Sequence, residues 1–347
     1  MDMHTGKITH KSSRISGAQR SHDALLADVS HASNGDVRAA GRLLSDLSGE
    51  DRRLQSRAAA AILASAGTGF WMNMLEFAAI GTWSGGAVAL PASIERRNLL
   101  PKLAGLFLAR QDESSATARR EALASGLSSP EPGVRRFVVD LLRSWGGALD
   151  QAGLVSLLND SDAGVRLRAA RTLGKVGDGR AVLALIEALG YSDDLIAGEA
   201  ADALARIGEP ALEPLTAALR DEDPYVRWHA AKALAEMANL RAADALLAAL
   251  DDQNFGVRWY ASNGLAAMGT RVLVPLLRTL RTHKLTPWLA EAAIHILKNI
   301  KDAKTVMLVE ELEKMLGDSY ANVEAPIEAD RLLKKLEEAY RHEAGSV

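Results

Sequence analysis

The sequence predicts an all-α protein, a right-handed α-solenoid of stacked two-helix units, and three observations predict it. Ala and Leu dominate an apolar fraction of 48% in which aromatics are only 5%, a mixture of strong helix formers with a low ordering cost. An anchor, usually Val followed by Arg, recurs at Val134, Val165, Ile196, Val226, Val257 and Trp288, at separations of 31, 31, 30, 31 and 31 residues. A second apolar series keeps the same step at Leu158, Leu189, Leu219, Leu250 and Leu280. Two independent markers holding one period over five units mark a solenoid.

Each unit justifies its elements in order. The first helix is apolar at helical spacing, as in "AVLALIEAL" (Ala181–Leu189) and "AADALLAAL" (Ala242–Leu250). A turn rich in Asp follows, as in "NDSDAG" and "RDEDP". Asp162, Asp223 and Asn254 fall three residues before the anchor, placed to accept bonds from the free amides of a helix start. Pro224 follows Asp223, where a missing amide costs nothing. The second helix carries a small pair four and five residues after the anchor: Val138-Val139, Ala169-Ala170, Ala200-Ala201, Ala230-Ala231, Ala261-Ser262 and Ala292-Ala293. Small side chains there let neighbouring backbones approach closely. Gly usually ends this helix, as in "LGKVGDG" and "ARIGEP".

"VRLRAARTLGKVGDGRAVLALIEAL", Val165–Leu189, with its Val-Arg, Ala-Ala, Leu-Gly and Gly-Asp steps, resembles the short HEAT repeats of the phycobilisome-lyase-like (E-Z) type. The resemblance covers roughly residues 115 to 315 and is specific for fold and nearly silent on function. It implies an inter-repeat ladder joining the Arg after Val to a turn Asp: Arg135, Arg166, Arg227 and Arg258 match that Arg, and Asp160, Asp221 and Asp252 match that Asp. Ala197 and Leu289 stand where two further arginines would be, so this ladder is interrupted twice. The resemblance also implies that the Val-Arg helices line the concave side.

The ends differ from the array. Residues 1–22 are polar and mildly basic and read as a disordered lead-in. Residues 23–66 read as a degenerate repeat or cap. Residues 67–98 form an apolar insert whose stretch Phe70–Leu90 has the length of a membrane span. Asn73, Glu76, Gly81, Gly85 and Gly86 argue against a span and for a buried insert or non-standard helix pair that caps the array or folds over its groove. The regular array is expected over 99–317. Residues 318–347 supply a capping helix, with Leu332, Leu333 and Leu336 on one side.

With the anchor and the positions four and eight after it buried, helical geometry turns the residues two, three and six after it outward. This puts Trp228, His229, Lys232, Trp259, Tyr260 and Asn263 into one aromatic-polar patch on adjacent helices, a candidate partner-binding groove. His295, on the next helix, reads as a core or rim histidine.

Composition excludes other chemistries. Net charge is −3, with no basic field for nucleic acid, and groove cations Arg168, Arg171 and Lys232 are offset by Asp140, Glu199, Asp202 and Glu291. The chain has no cysteine, hence no thiolate ligand or nucleophile. No phosphate loop, HExxH or nucleophile elbow occurs. The di-iron HEAT hydroxylases need His-Glu dyads, and the one such pair, His342-Glu343, lies in the tail. No cofactor or metal is expected, and no catalytic residue is assigned. The reading is therefore a cytoplasmic, non-catalytic scaffold that grips a protein or peptide. The alternatives are a bilin lyase-type subunit, which the resemblance suggests, and a HEAT-like nucleic-acid or base-excision protein.

Overall fold

The structure, a computed structural model, describes residues 20–48, 51–84, 86–88, 101–106, 113–145, 151–318 and 321–344. Its contacts divide the chain into two compact units, Met1–Leu141 and Leu142–Val347.

In the first unit, helices α1 (His22–Ser33), α2 (Val37–Ser48) and α3 (Arg52–Ser65) pack on one another. Most of the expected lead-in lies outside the described residues, but its last three residues belong to the fold. Ser21 caps α1 by accepting from the Ala24 amide, and Arg20 pairs with Asp28 and Asp46.

The apolar insert begins as helix α4 (Thr68–Ile80), ended by Gly81 at φ +89°. A minimal antiparallel hairpin follows, β1 (Thr82–Trp83) with β2 (Gly86–Ala87), Thr82 opposite Ala87. Phe70, Trp71, Phe77 and Trp83 are buried, so this segment is core of the first unit. Its indoles keep their polar edges satisfied: Trp83 donates to the Ala32 carbonyl at 2.9 Å and Trp71 to the Ala66 carbonyl at 3.2 Å. Among the described residues no helix is long and apolar enough to cross a membrane. A helical stretch at 101–106 (α5), then α6 (Glu113–Leu127) and α7 (Pro132–Trp145), continue the chain.

The second unit holds the repeat array from α8 (Gln151–Ser156) onward. Its second-position helices are α9 (Ala163–Val176), α11 (Asp194–Ile207), α13 (Pro224–Met237), α15 (Phe255–Ala267) and α17 (Pro287–Lys298). They form one layer, each packed on the next. Each is preceded in sequence by a first helix, α8, α10 (Val182–Ala188), α12 (Glu209–Ala218), α14 (Ala243–Ala249) and α16 (Leu273–Thr282) in turn, and these cover the other side. The small pairs and the Leu158-to-Leu280 series are all buried. Asp162, Asp193, Asp223, Asn254 and Thr286 each accept from amides at the start of the following helix. Small residues set the helix separation. A Cβ on Gly264 would lie 2.7 Å from the Ala235 Cα, and one on Gly174 would lie 2.6 Å from the Ala203 Cα.

One anchor differs from expectation. Trp288 is 44% exposed, and the next residue, Leu289, is buried in its place. Where four other units have Arg, this one offers a large apolar side chain to the core, and the helix settles with Leu inward. At the end of the chain α18 (Ala303–Leu316) precedes α19 (Ala321–Ala344), which lies on α16 and α18 and buries Leu332 and Leu333, with Leu336 half-buried.

Candidate binding groove

The arginines after the anchor bind within their own units. Arg166 Nη1 donates to the carbonyls of Asp160 and Ser161, Arg227 to those of Asp221 and Glu222, and Arg258 to those of Asp252 and Gln253. Arg135 does the same with Ser129 and Pro130. Each guanidinium thus ties down the two carbonyls six and five residues back. The aspartates fold the same turns: Asp160, Asp221 and Asp252 accept from the amides of Asp162, Asp223 and Asn254. One pair also crosses units, Arg227 to both oxygens of Asp252 at 2.7 and 3.1 Å. Burial alone would raise the Asp252 pKa, but the Arg227 hydrogen bond and the Asn254 amide hold it below the usual carboxylate value.

A different ladder joins the second helices. Its rungs come from the residues six after the anchor and their neighbours: Arg171 to Glu199 at 2.5 Å, Lys232 to Asp202, and Asn263 Oδ1 with His295 Nε2 at 3.3 Å. These cross-helix partners were invisible to a periodicity argument, which orders residues along one helix and not across two.

The six patch residues separate into two groups. Trp228 is half-buried, because the helix beside it carries a glycine in its first turn: a Cβ on Gly256 would sit 2.8 Å from the indole. The Trp228 ring also meets those of His229 at 4.7 Å and Tyr260 at 6.3 Å. His229, expected to face outward, is buried at 3% exposure. It sits in the filled seam between α11 and α13, where Asp194, Asp202 and Lys232 are its charged neighbours. Desolvation, then Lys232, pushes its pKa below 6.5, so the ring is neutral at pH 7. Lys232 is held by Asp202. Trp228, His229 and Lys232 therefore serve the helix seam.

Trp259 is 51% exposed, with Tyr260, half-buried, edge-on at 4.8 Å. The α17 helix has no glycine to draw it close, and a cavity of about 300 Å3 opens between α15 and α17. Phe255, Trp259 and Trp288 give it aromatic walls; Asn263, Glu291 and His295 give it polar ones. Arg258 stacks on Trp288 at 4.3 Å and approaches Phe255 at 5.8 Å. Sequence reasoning missed Phe255, Trp288 and the role of Arg258. The signal was present in Leu289, which breaks the Val-Arg pattern and frees Trp288 from the core. Among the described residues no group of three or more His, Asp or Glu is placed to hold a metal ion.

Known proteins match this architecture. The family model for HEAT repeats matches in overlapping windows at residues 120–197, 151–222, 182–258 and 212–298. No curated protein matches the chain. Among solved structures, an engineered protein is 20% identical over 91% of this chain and 95% of its own, with a TM-score of 0.36. The CpcE–CpcF phycocyanin lyase complex from Nostoc sp. PCC7120 is 17% identical over 94% of this chain and 99% of its own, with a TM-score of 0.31. Importin beta is 12% identical over 90% of this chain and 48% of its own, with a TM-score of 0.46. With HEAT repeats matched from residue 120 to residue 298, more than half its length, the chain belongs to the HEAT-repeat family.

Proposed function

We propose that the protein is a non-catalytic HEAT-repeat scaffold that binds a protein or peptide partner on the outward face of its second helices, in the groove between α15 and α17. The observation that carries this reading is the cavity itself, where Trp259 and Trp288 are half-exposed and Phe255 is 70% exposed. Three aromatic rings around one cleft keep much of their surface in water, outside the buried core. Such rings carry interface energy out of proportion to their number, about 2 kcal/mol or more each when they fill a partner's pocket. The cysteine-free composition is compatible with the cytoplasmic setting expected above.

The test is the Trp259→Ala/Trp288→Ala double variant, used to recover partners from native cells beside wild type. Expected is loss of the specific partner with the melting temperature within about 2 °C of wild type, as for surface substitutions. Trp228→Ala is the contrasting variant. It removes a ring seated on Gly256 and costs about 2 kcal/mol of stability, with partner recovery kept at temperatures where the protein is folded. Undiminished recovery by the double variant overturns the reading.

A further inference from the structure

The open hydrogen-bonding capacity of the groove says what kind of side chain would occupy it. Asn263 is spent: its Nδ2 donates to the Trp259 carbonyl at 2.8 Å and its Oδ1 faces His295. Arg258 Nη1 is spent on two carbonyls, and its plane lies on Trp288. Ser262 is buried. Glu291 remains: its carboxylate is exposed on the cavity wall and, among the described residues, has no hydrogen bond or ion pair. A carboxylate can only accept, so the complementary group is a donor, and preferably a cation.

Charges around the site agree. Arg258 faces Asp252, itself paired with Arg227, and Asp251 accepts from Thr286, the cap of the helix that carries Trp288. Around it Arg227 and Arg258 stand against Asp251, Asp252 and Glu291, two cations to three carboxylates. The walls choose among cations. Indole faces attract positive charge, and a planar, weakly hydrated guanidinium stacks on them better than an ammonium does. Trp288 already holds one guanidinium in that manner. The volume, at the small end for ligand pockets, suits one side chain of a larger partner.

We infer that the α15–α17 cavity is a socket for an arginine side chain of a protein partner, stacked against Trp259 and Trp288 with its donors directed to Glu291. This rests on the proposed binding role of the same groove and specifies the chemistry that enters it. The occupant is a basic segment; an apolar or aromatic anchor in the same cavity is the competing occupant the test must separate.

The experiment uses the full chain and blocked heptapeptides of Gly and Ser with one central residue: Arg, citrulline, Lys, Leu or Glu. Binding is read from the indole N–H signals of Trp259 and Trp288, assigned with Trp259→Phe and Trp288→Phe. Expected is saturable binding of the Arg peptide in the millimolar range, about tenfold weaker for citrulline, which keeps the shape and loses the charge. Lys should fall between them, and Glu should not bind. Glu291→Gln, at an exposed position, should weaken the Arg peptide about fivefold or more, with the difference fading at high salt. Equal binding of Arg and citrulline, preference for Leu, or no saturable shift of either indole by the Arg peptide would sink the inference. In each of those cases loss of partner recovery by the Trp259→Ala/Trp288→Ala variant would still uphold the groove itself. Undiminished recovery there would remove both.

Discussion

At the scale of single residues, one sequence position can have two fates. Trp228 and Trp259 occupy the same place in successive units, yet Gly256 draws the first ring into a seam while the second stays open. The difference lies in the neighbouring helix, so no periodic reading of one helix could find it. His229 shows the same limit and makes its own prediction. Among the described residues neither ring nitrogen has a hydrogen-bond partner, a burial that costs about 1–3 kcal/mol. Because its folded pKa lies below 6.5, the unfolded chain takes up the proton first. Its contribution is fully present above that value and is lost as pH falls through it toward the lowered folded pKa. His229→Leu is expected to raise stability at pH 7 by about 1 kcal/mol and to flatten the loss that sets in as pH falls below 6.5. Urea titrations of both proteins across that range check it; parallel pH profiles would refute the assignment.

Among elements, the ends of the second helices were legible and one irregularity among them is informative. Gly177, Gly208 and Gly269 follow the anchor by twelve residues and take φ of +72°, +77° and +63°. The fourth unit places Ala238 at that position with φ +45° and ψ +37°. A left-handed conformation costs a residue with a Cβ about 1–2 kcal/mol, part of which glycine returns through its freer unfolded chain. Ala238→Gly is therefore expected to stabilise the protein by about 0.5–1 kcal/mol, seen as a higher urea midpoint at unchanged slope. The helix starts at Asp162, Asp223 and Asn254 were equally readable, since such caps act on amides a few residues away. The rungs Arg171–Glu199 and Lys232–Asp202 were not. They depend on the rotation of one helix about its neighbour, which sequence spacing does not encode.

For the whole molecule, the repeat was read from two buried apolar series, and the structure keeps both, with Trp288 the single anchor turned out. Residues 23–66 were read only as a degenerate repeat or cap and 67–98 only as an apolar insert, because Phe70, Trp71 and Trp83 form a local aromatic cluster that follows no repeat period. In a one-dimensional array each unit leans on its neighbours alone, and terminal units need a cover. Here α19 covers α16, whose Leu276, Leu277 and Leu280 are buried, and α18. Truncation after Gly317 is expected to speed amide exchange in α16 to α18 by about a hundredfold or more, while α9 to α13 keep wild-type protection. A uniform rise across the second unit would show instead that it unfolds as one block.

The arginines that hold carbonyls five and six residues behind them have a consequence for how such chains change length. In the units that carry this arginine, the bend is fastened by an atom from the same stretch that it bends. A complete thirty-one-residue cassette therefore brings its own rivet when it is copied and takes it away when it is lost. Genetic duplication leaves all other bends intact and asks only that new neighbours fit at their alanines and glycines.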